Sequence, residues 1–151
     1  MTKRTVTNAS FTVERLFAAA PARVFQAFAD QKMKAQWFIG PDHWEKSDHR
    51  LEFRVGGEEH VSGGPPGGPV HAYDSVFRDI VPNERIITTY EMHLNDKRIS
   101  VSLASLEFIP EGASTRLILT EQGAYLDEFD RPDVREQGTN DLLNKLADFL
   151  K

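Results

Sequence analysis

From Val70 to Leu126 the chain is a series of long strand-like runs separated only by tight turns. VHAYDSVFRDIVP leads into the turn VPNER, IITTYEMHL into Asn95-Asp96, and RISVSLASLEFIP into Pro110-Glu111-Gly112. STRLILTEQGAYL closes the series. Turns this short join antiparallel neighbours. Ile86, Tyr90, Met92 and Leu94 fall on one face of their strand, so the sheet has one apolar and one wet face. In RISVSLASLEFIP the apolar residues change parity, from Ile99, Val101 and Leu103 to Leu106 and Phe108. A bulge near Ala104-Ser105 would keep both sets on one face. VHAYDSVFRDIV carries apolar residues at both parities, which leaves the side taken by Phe77 open.

Ahead of this series, SFTVERLF alternates as a half-buried strand. Pro21 suits a first helical position, and ARVFQAFAD sets Val24, Phe25 and Phe28 on one helical face. Asp30 can cap a second short helix, QKMKAQWF, which Gly40-Pro41 ends. LEFRV, residues 51–55, reads as a strand interrupted at Gly56-Gly57. From Asp133 the period becomes helical, with Leu142, Leu143, Leu146, Phe149 and Leu150 as one apolar stripe. That helix is the natural cover for the apolar face of the sheet.

The stretch SGGPPGGP, residues 62–69, lies between strand-like segments. No helix follows it and it has no Lys-Ser/Thr pair, so it is not a phosphate cradle. The part before it is too small for a separate core, which argues against a linker. It reads as an elongated hairpin loop that can flap over a cavity mouth.

With 151 residues, a single domain over 1–151 is expected. There is no cysteine, which removes disulfides, thiolate metal sites and a cysteine nucleophile and suits a reducing cytoplasm. MTKRTVTNASFTVERL lacks the apolar run of a signal peptide. No run approaches the ~18–20 residues of a membrane span. The net charge of −5 argues against nucleic acid as a partner.

Five segments together resemble a known family: FAAAPARVFQAFAD (17–30), WFIGP (37–41), FRDIVPNERIITTYE (77–91), SLEFIPEGASTRLILTEQG (105–123) and GTNDLLNKL (138–146). Their order and spacing, from about Phe11 to Leu150, are similar to bacterial proteins related to the activator of the heat-shock-protein-90 ATPase. Those belong to the START-like (SRPBCC, birch-pollen-allergen-like) superfamily. The resemblance implies an α+β helix-grip fold, in which a curved antiparallel sheet wraps a long C-terminal helix and two short helices follow the first strand. It also implies an apolar cavity between sheet and helix for a hydrophobic or amphipathic small molecule. Alternatives are an enzyme of the same fold, such as a cyclase or hydrolase, or a partner-binding module acting on a chaperone. A homodimer is compatible with either. Relatives often carry Trp after the glycine that opens the last helix. Here Thr139 follows Gly138, which would reshape the pocket.

Candidate cavity residues by parity and helix face are Trp37, Phe38, Phe53, Tyr73, Phe77, Tyr90, Met92, Phe108, Leu142 and Leu146. Taken singly, each reads first as a core residue. Arg15 shares parity with Phe11 and Val13 and is either a counter-charge inside or, after a bulge, a surface residue. Glu121 shares parity with Leu117 and Leu119, which points it inward near a bulge at Gln122-Gly123, as a general base or in a capping or salt-bridged role. Among the five histidines, His60 and His71 flank the Gly/Pro loop, but a third metal ligand is not evident, so neither metal nor other cofactor is expected. Glu91 and His93 share the wet face and read as solvated. DEFDRPD (127–133) lacks the ligand spacing of a calcium loop and reads as the approach to the last helix.

Overall fold

A computed structural model describes residues 3–151, the side chains of 46 and 47 excepted. The first two residues of the N-terminal stretch read above therefore lie outside the described residues. The elements in chain order are β1 (Val6–Phe17), α1 (Pro21–Ala29), α2 (Gln31–Trp37), β2 (Glu45–Leu51), β3 (Glu58–Gly64), β4 (His71–Val81), β5 (Arg85–Leu94), β6 (Lys97–Glu111), β7 (Ser114–Leu126) and α3 (Pro132–Phe149). The strands form one antiparallel sheet of order β1-β7-β6-β5-β4-β3-β2. Strands β2 to β7 are a meander, and β1 adds to its last edge. Helices α1 and α2 carry the chain from β1 to the opposite edge. With α3 against the sheet, this is the α+β helix-grip arrangement that the sequence led us to expect.

The helix signals act as read. Pro21 opens α1, whose buried face is Val24, Phe25, Ala27 and Phe28. The Asp30 carboxylate caps α2 by accepting from the Met33 amide at 3.0 Å. Helix α3 starts one residue before Asp133, with Pro132 in its first turn, and its Leu143 and Leu146 are buried. The aromatic core lies under α1. Phe25 meets Phe53 and Phe108 edge-on at 5.6 and 5.3 Å, and Phe28 meets Trp37 and Phe108 at 4.8 and 5.5 Å. The Trp37 indole N–H donates to the Ala27 carbonyl at 3.0 Å, so this ring is fixed at both its apolar body and its polar tip.

Four expectations are corrected. LEFRV is not a strand: β2 ends at Leu51 and residues 52–57 turn back into β3. A Cβ on Gly57 would lie 2.2 Å from the Glu52 carbonyl oxygen, so the turn closes too tightly for any other residue. The Gly/Pro stretch is a hairpin loop, but Ser62, Gly63 and Gly64 belong to β3, which was not separately foreseen, and the loop proper is 65–70. There is no bulge at Ala104-Ser105. Register is continuous there and shifts instead between Met92 and His93, opposite Ile99. Val101 and Leu103 consequently face outward, at 40 and 38 % exposure, while Ser100 and Ser102 are buried. Nor is there a bulge at Gln122-Gly123, since β7 pairs without interruption with both neighbours. A register shift between Phe77 and Asp79 accounts for the mixed parity of β4 and leaves Phe77 buried.

Candidate functional site

Between the sheet and α3 lies a cavity of about 1530 Å³. From the packed core an aromatic series runs into its wall. Trp37 meets Phe38 at 5.7 Å, Phe38 meets Tyr73 at 5.1 Å, and Tyr73 meets Tyr90 at 4.8 Å. Trp37, Phe38, Tyr73, Phe77, Tyr90 and Met92 line the cavity from the α2 and sheet side, and Leu142 from α3. Phe53, Phe108 and Leu146 lie in the packed core instead. Gly138 and Thr139 also line the cavity, and a Cβ built on Gly138 meets nothing within 4 Å. The segment 39–40 forms part of the rim and is held to α3 by Lys145, whose ammonium donates to the Ile39 and Gly40 carbonyls at 3.3 and 2.7 Å.

A polar cluster is buried in the wall. The Tyr90 hydroxyl donates to Glu121 Oε1 at 2.6 Å and accepts from Arg135 Nη1 at 2.9 Å. Arg135 Nη2 donates to Ser100 Oγ at 2.8 Å and to the Asp130 carboxylate. Its guanidinium also stands 5.5 and 5.3 Å from the centres of the Tyr90 and Tyr125 rings. Burial disfavours the Arg135 cation, yet Tyr90, Asp130 and Glu121 around it hold its pKa above the ordinary value. Burial raises the Glu121 carboxyl, and the Tyr90 hydrogen bond and the Arg135 charge offset this only in part. Burial, with Glu121 beside it, pushes the Tyr90 phenol well up, so Tyr90 stays a neutral donor. Glu121 is thus inward as its parity suggested. Its partner is a phenol rather than a salt bridge.

A second buried group sits where α2 meets β2 and β3. Lys34 Nζ donates to Glu59 Oε1 at 2.6 Å, and His49 Nε2 lies 2.9 Å from Glu59 Oε2. Burial opposes the Glu59 charge, but Lys34 and His49 together bring its pKa below the usual value. Lys34 lines the cavity, with its ammonium 4.4 Å from the centre of the Phe38 ring.

Arg15 is neither a cavity counter-charge nor free on the surface. It braces β1 to α3 through Asn144 Oδ1 at 2.9 Å and the Asn140 carbonyl and side-chain oxygens at 3.2 and 3.1 Å. His60 and His71 do not meet. His60 Nδ1 is 2.6 Å from Asp74, whereas His71 lines the cavity and stacks on Trp44 at 4.4 Å. Glu91 and His93 face away from the cavity, with Arg98 donating to Glu91 at 3.2 Å. Among the described residues no group of three or more His, Asp or Glu side chains is placed to hold a metal ion.

The residues that sequence reasoning missed are Arg135, Lys34 and Glu59. Each carried a signal. Arg135, Thr139, Leu142 and Leu146 are spaced as one helical face, Lys34 is one turn from Trp37, and Glu59 shares strand parity with Val61.

These features define a START-like protein, a curved sheet gripping a helix over an interior cavity. The family described as "Activator of Hsp90 ATPase homolog 1-like protein" matches residues 18–151, and the chain belongs to that family. Among solved structures it is similar to an uncharacterised protein from Rhizobium leguminosarum, at 41% identity and TM-score 0.94 over 99% of this chain and 98% of that one. It is also similar to the Mll3558 protein from Rhizobium loti, at 40% identity and TM-score 0.89 over 96% of this chain and 99% of that one. The CV1439 protein from Chromobacterium violaceum shares the fold at 23% identity and TM-score 0.79, over 93% of this chain and 96% of that one. No curated protein matches. Among the described residues no helix is long and apolar enough to cross a membrane.

Proposed function

We propose that this protein binds an apolar or amphipathic small molecule between the sheet and α3. The observation that carries the reading is the cavity itself, about 1530 Å³ beside a core already filled by Phe25, Phe28 and Phe108. Its aromatic walls, with Tyr90, Glu121 and Arg135 among the polar groups that line it, suit a ligand pocket. The residues proposed to touch the ligand are Trp37, Phe38, Tyr73, Tyr90, Met92 and Leu142. Burying ~200–300 Å² of apolar ligand surface contributes roughly 5–8 kcal/mol before association costs. Native mass spectrometry of gently purified protein tests this, followed by denaturation and identification of what is released. One stoichiometric apolar compound supports the reading. An empty protein that accelerates a chaperone's ATP turnover moves the reading to the partner role named in the family's description.

One observation favours a second reading, turnover of the bound molecule. Tyr90, Glu121 and Arg135 converge at the cavity wall, which supplies a buried carboxyl with a raised pKa next to a fixed phenol. Conversion of the released compound on prolonged incubation, lost in Glu121→Gln, would support it. An unchanged compound would leave binding alone.

A further inference from the structure

Glu121 has one oxygen that the protein does not complete. Oε1 accepts from Tyr90, but Oε2 is buried and has no hydrogen-bond partner among the described residues. The residue is 5 % exposed and lines the cavity. A buried carboxylate oxygen without a donor is costly, so such an atom calls for a partner from the cavity side.

The charges nearby select that partner. Arg135 is occupied by Tyr90, Ser100 and Asp130, so it neither pairs with Glu121 nor is free for an anion. Lys34 at the α2 end is likewise held by Glu59. An anionic ligand would set a second negative charge against Glu121. A cationic ligand would sit close to the Arg135 guanidinium, which shares the Tyr90 hydroxyl with Glu121. Both would carry a further buried charge into the wall. A neutral donor meets neither objection.

We propose that Glu121 Oε2 is the docking point for the hydroxyl group of an uncharged, otherwise apolar ligand, an alcohol or a phenol, whose apolar body lies beside Tyr73, Met92 and Leu142. This rests on the cavity-binding reading and names the ligand class for it. The raised Glu121 pKa agrees, because an uncompensated oxygen in a buried site is what burial penalises.

The test compares two neutral probes of one skeleton, 2-naphthol and 2-methoxynaphthalene, binding to the full chain near neutral pH. The wild type is expected to hold the naphthol about tenfold more tightly, the scale of one buried hydrogen bond. In Glu121→Gln the amide nitrogen can face the ligand, and the preference should fall below about threefold. Equal affinity of the two probes in the wild type overturns the Glu121 anchor and leaves the cavity reading standing. Failure of both probes to bind overturns both. A preference that persists in a folded Glu121→Gln assigns it elsewhere and overturns the proposal. If that variant does not fold, the wild-type comparison decides alone.

Discussion

The Tyr90 hydroxyl reaches Glu121 Oε1 at 2.6 Å across an intervening strand. Tyr90 is on β5 and Glu121 on β7, with β6 between them. The β6 residues paired beneath this bridge are Ser102, opposite Tyr90, and Ala104, opposite Glu121. Small side chains there leave room for the span. Arg135 then approaches from α3 and fastens helix to sheet through the same hydroxyl.

Removing the bridge should show in stability. Tyr90→Phe deprives the buried Glu121 Oε1 of its donor and leaves the part-buried Arg135 Nη1 with the longer contact to Ser102 Oγ at 3.5 Å. The expected loss is about 2–3 kcal/mol in urea denaturation. A loss within experimental error would mean that the cluster relaxes around the missing hydroxyl.

The pH dependence of Glu121 has a definite sign. Burial raises its folded-state pKa above the ordinary 4.5. Its contribution to stability is therefore full at low pH and is lost as pH rises through 4.5 towards the folded value. Glu121→Gln does not ionise, so the variant should gain stability relative to the wild type as pH rises over that window. Chemical denaturation from acid to neutral pH checks this, and parallel stability curves would contradict it.

Glu59 behaves in the opposite sense. Lys34 and His49 hold its pKa below the ordinary value against the effect of burial, so the stability it contributes is lost as pH falls through its folded pKa. Glu59→Gln leaves the Lys34 ammonium, 7 % exposed, without its carboxylate partner. A cost of about 3–5 kcal/mol is expected, whereas Lys34→Met combined with Glu59→Leu should cost less than Glu59→Gln alone. A double variant that costs as much as Glu59→Gln or more would show that the pair does not act as a unit.

The course of the strands from β4 to β7 was legible because their turns are local: Asn83 and Asn95 take positive φ where the tight turns were read. The short helices were legible from Pro21 and Asp30, which act within their own segments. What misled the reading was polarity placed inward. Ser100 and Ser102 face the interior because Arg135 needs acceptors there, and a rule that sends apolar residues inward therefore assigned Val101 and Leu103 to the wrong face. LEFRV failed for a related reason. Its alternation is that of a strand, but the backbone approach at Gly57 turns the chain first. Arg135, Lys34 and Glu59 form contacts between elements far apart in sequence, and no single periodic segment announces a partner on another.

Helix α3 offers two separable substitutions. Gly138→Ala adds a Cβ that meets nothing within 4 Å inside a helix, so it should raise stability by about 0.5–1 kcal/mol. Thr139→Trp instead sets a large ring on a cavity-lining position and should weaken naphthol binding in a folded protein. Undiminished binding in that variant would place the ligand elsewhere.

The most direct test is a chemical-shift titration of the protein with 2-naphthol, because the outer face of the sheet carries a competing groove of about 550 Å³ lined by Val101, Leu103 and Ala124. Naphthol held between the sheet and α3 should move the methyl signals of Met92, Leu119, Thr139 and Leu142 saturably and leave those of Val101, Leu103 and Ala124 still. Movement confined to the outer groove would contradict binding between sheet and α3.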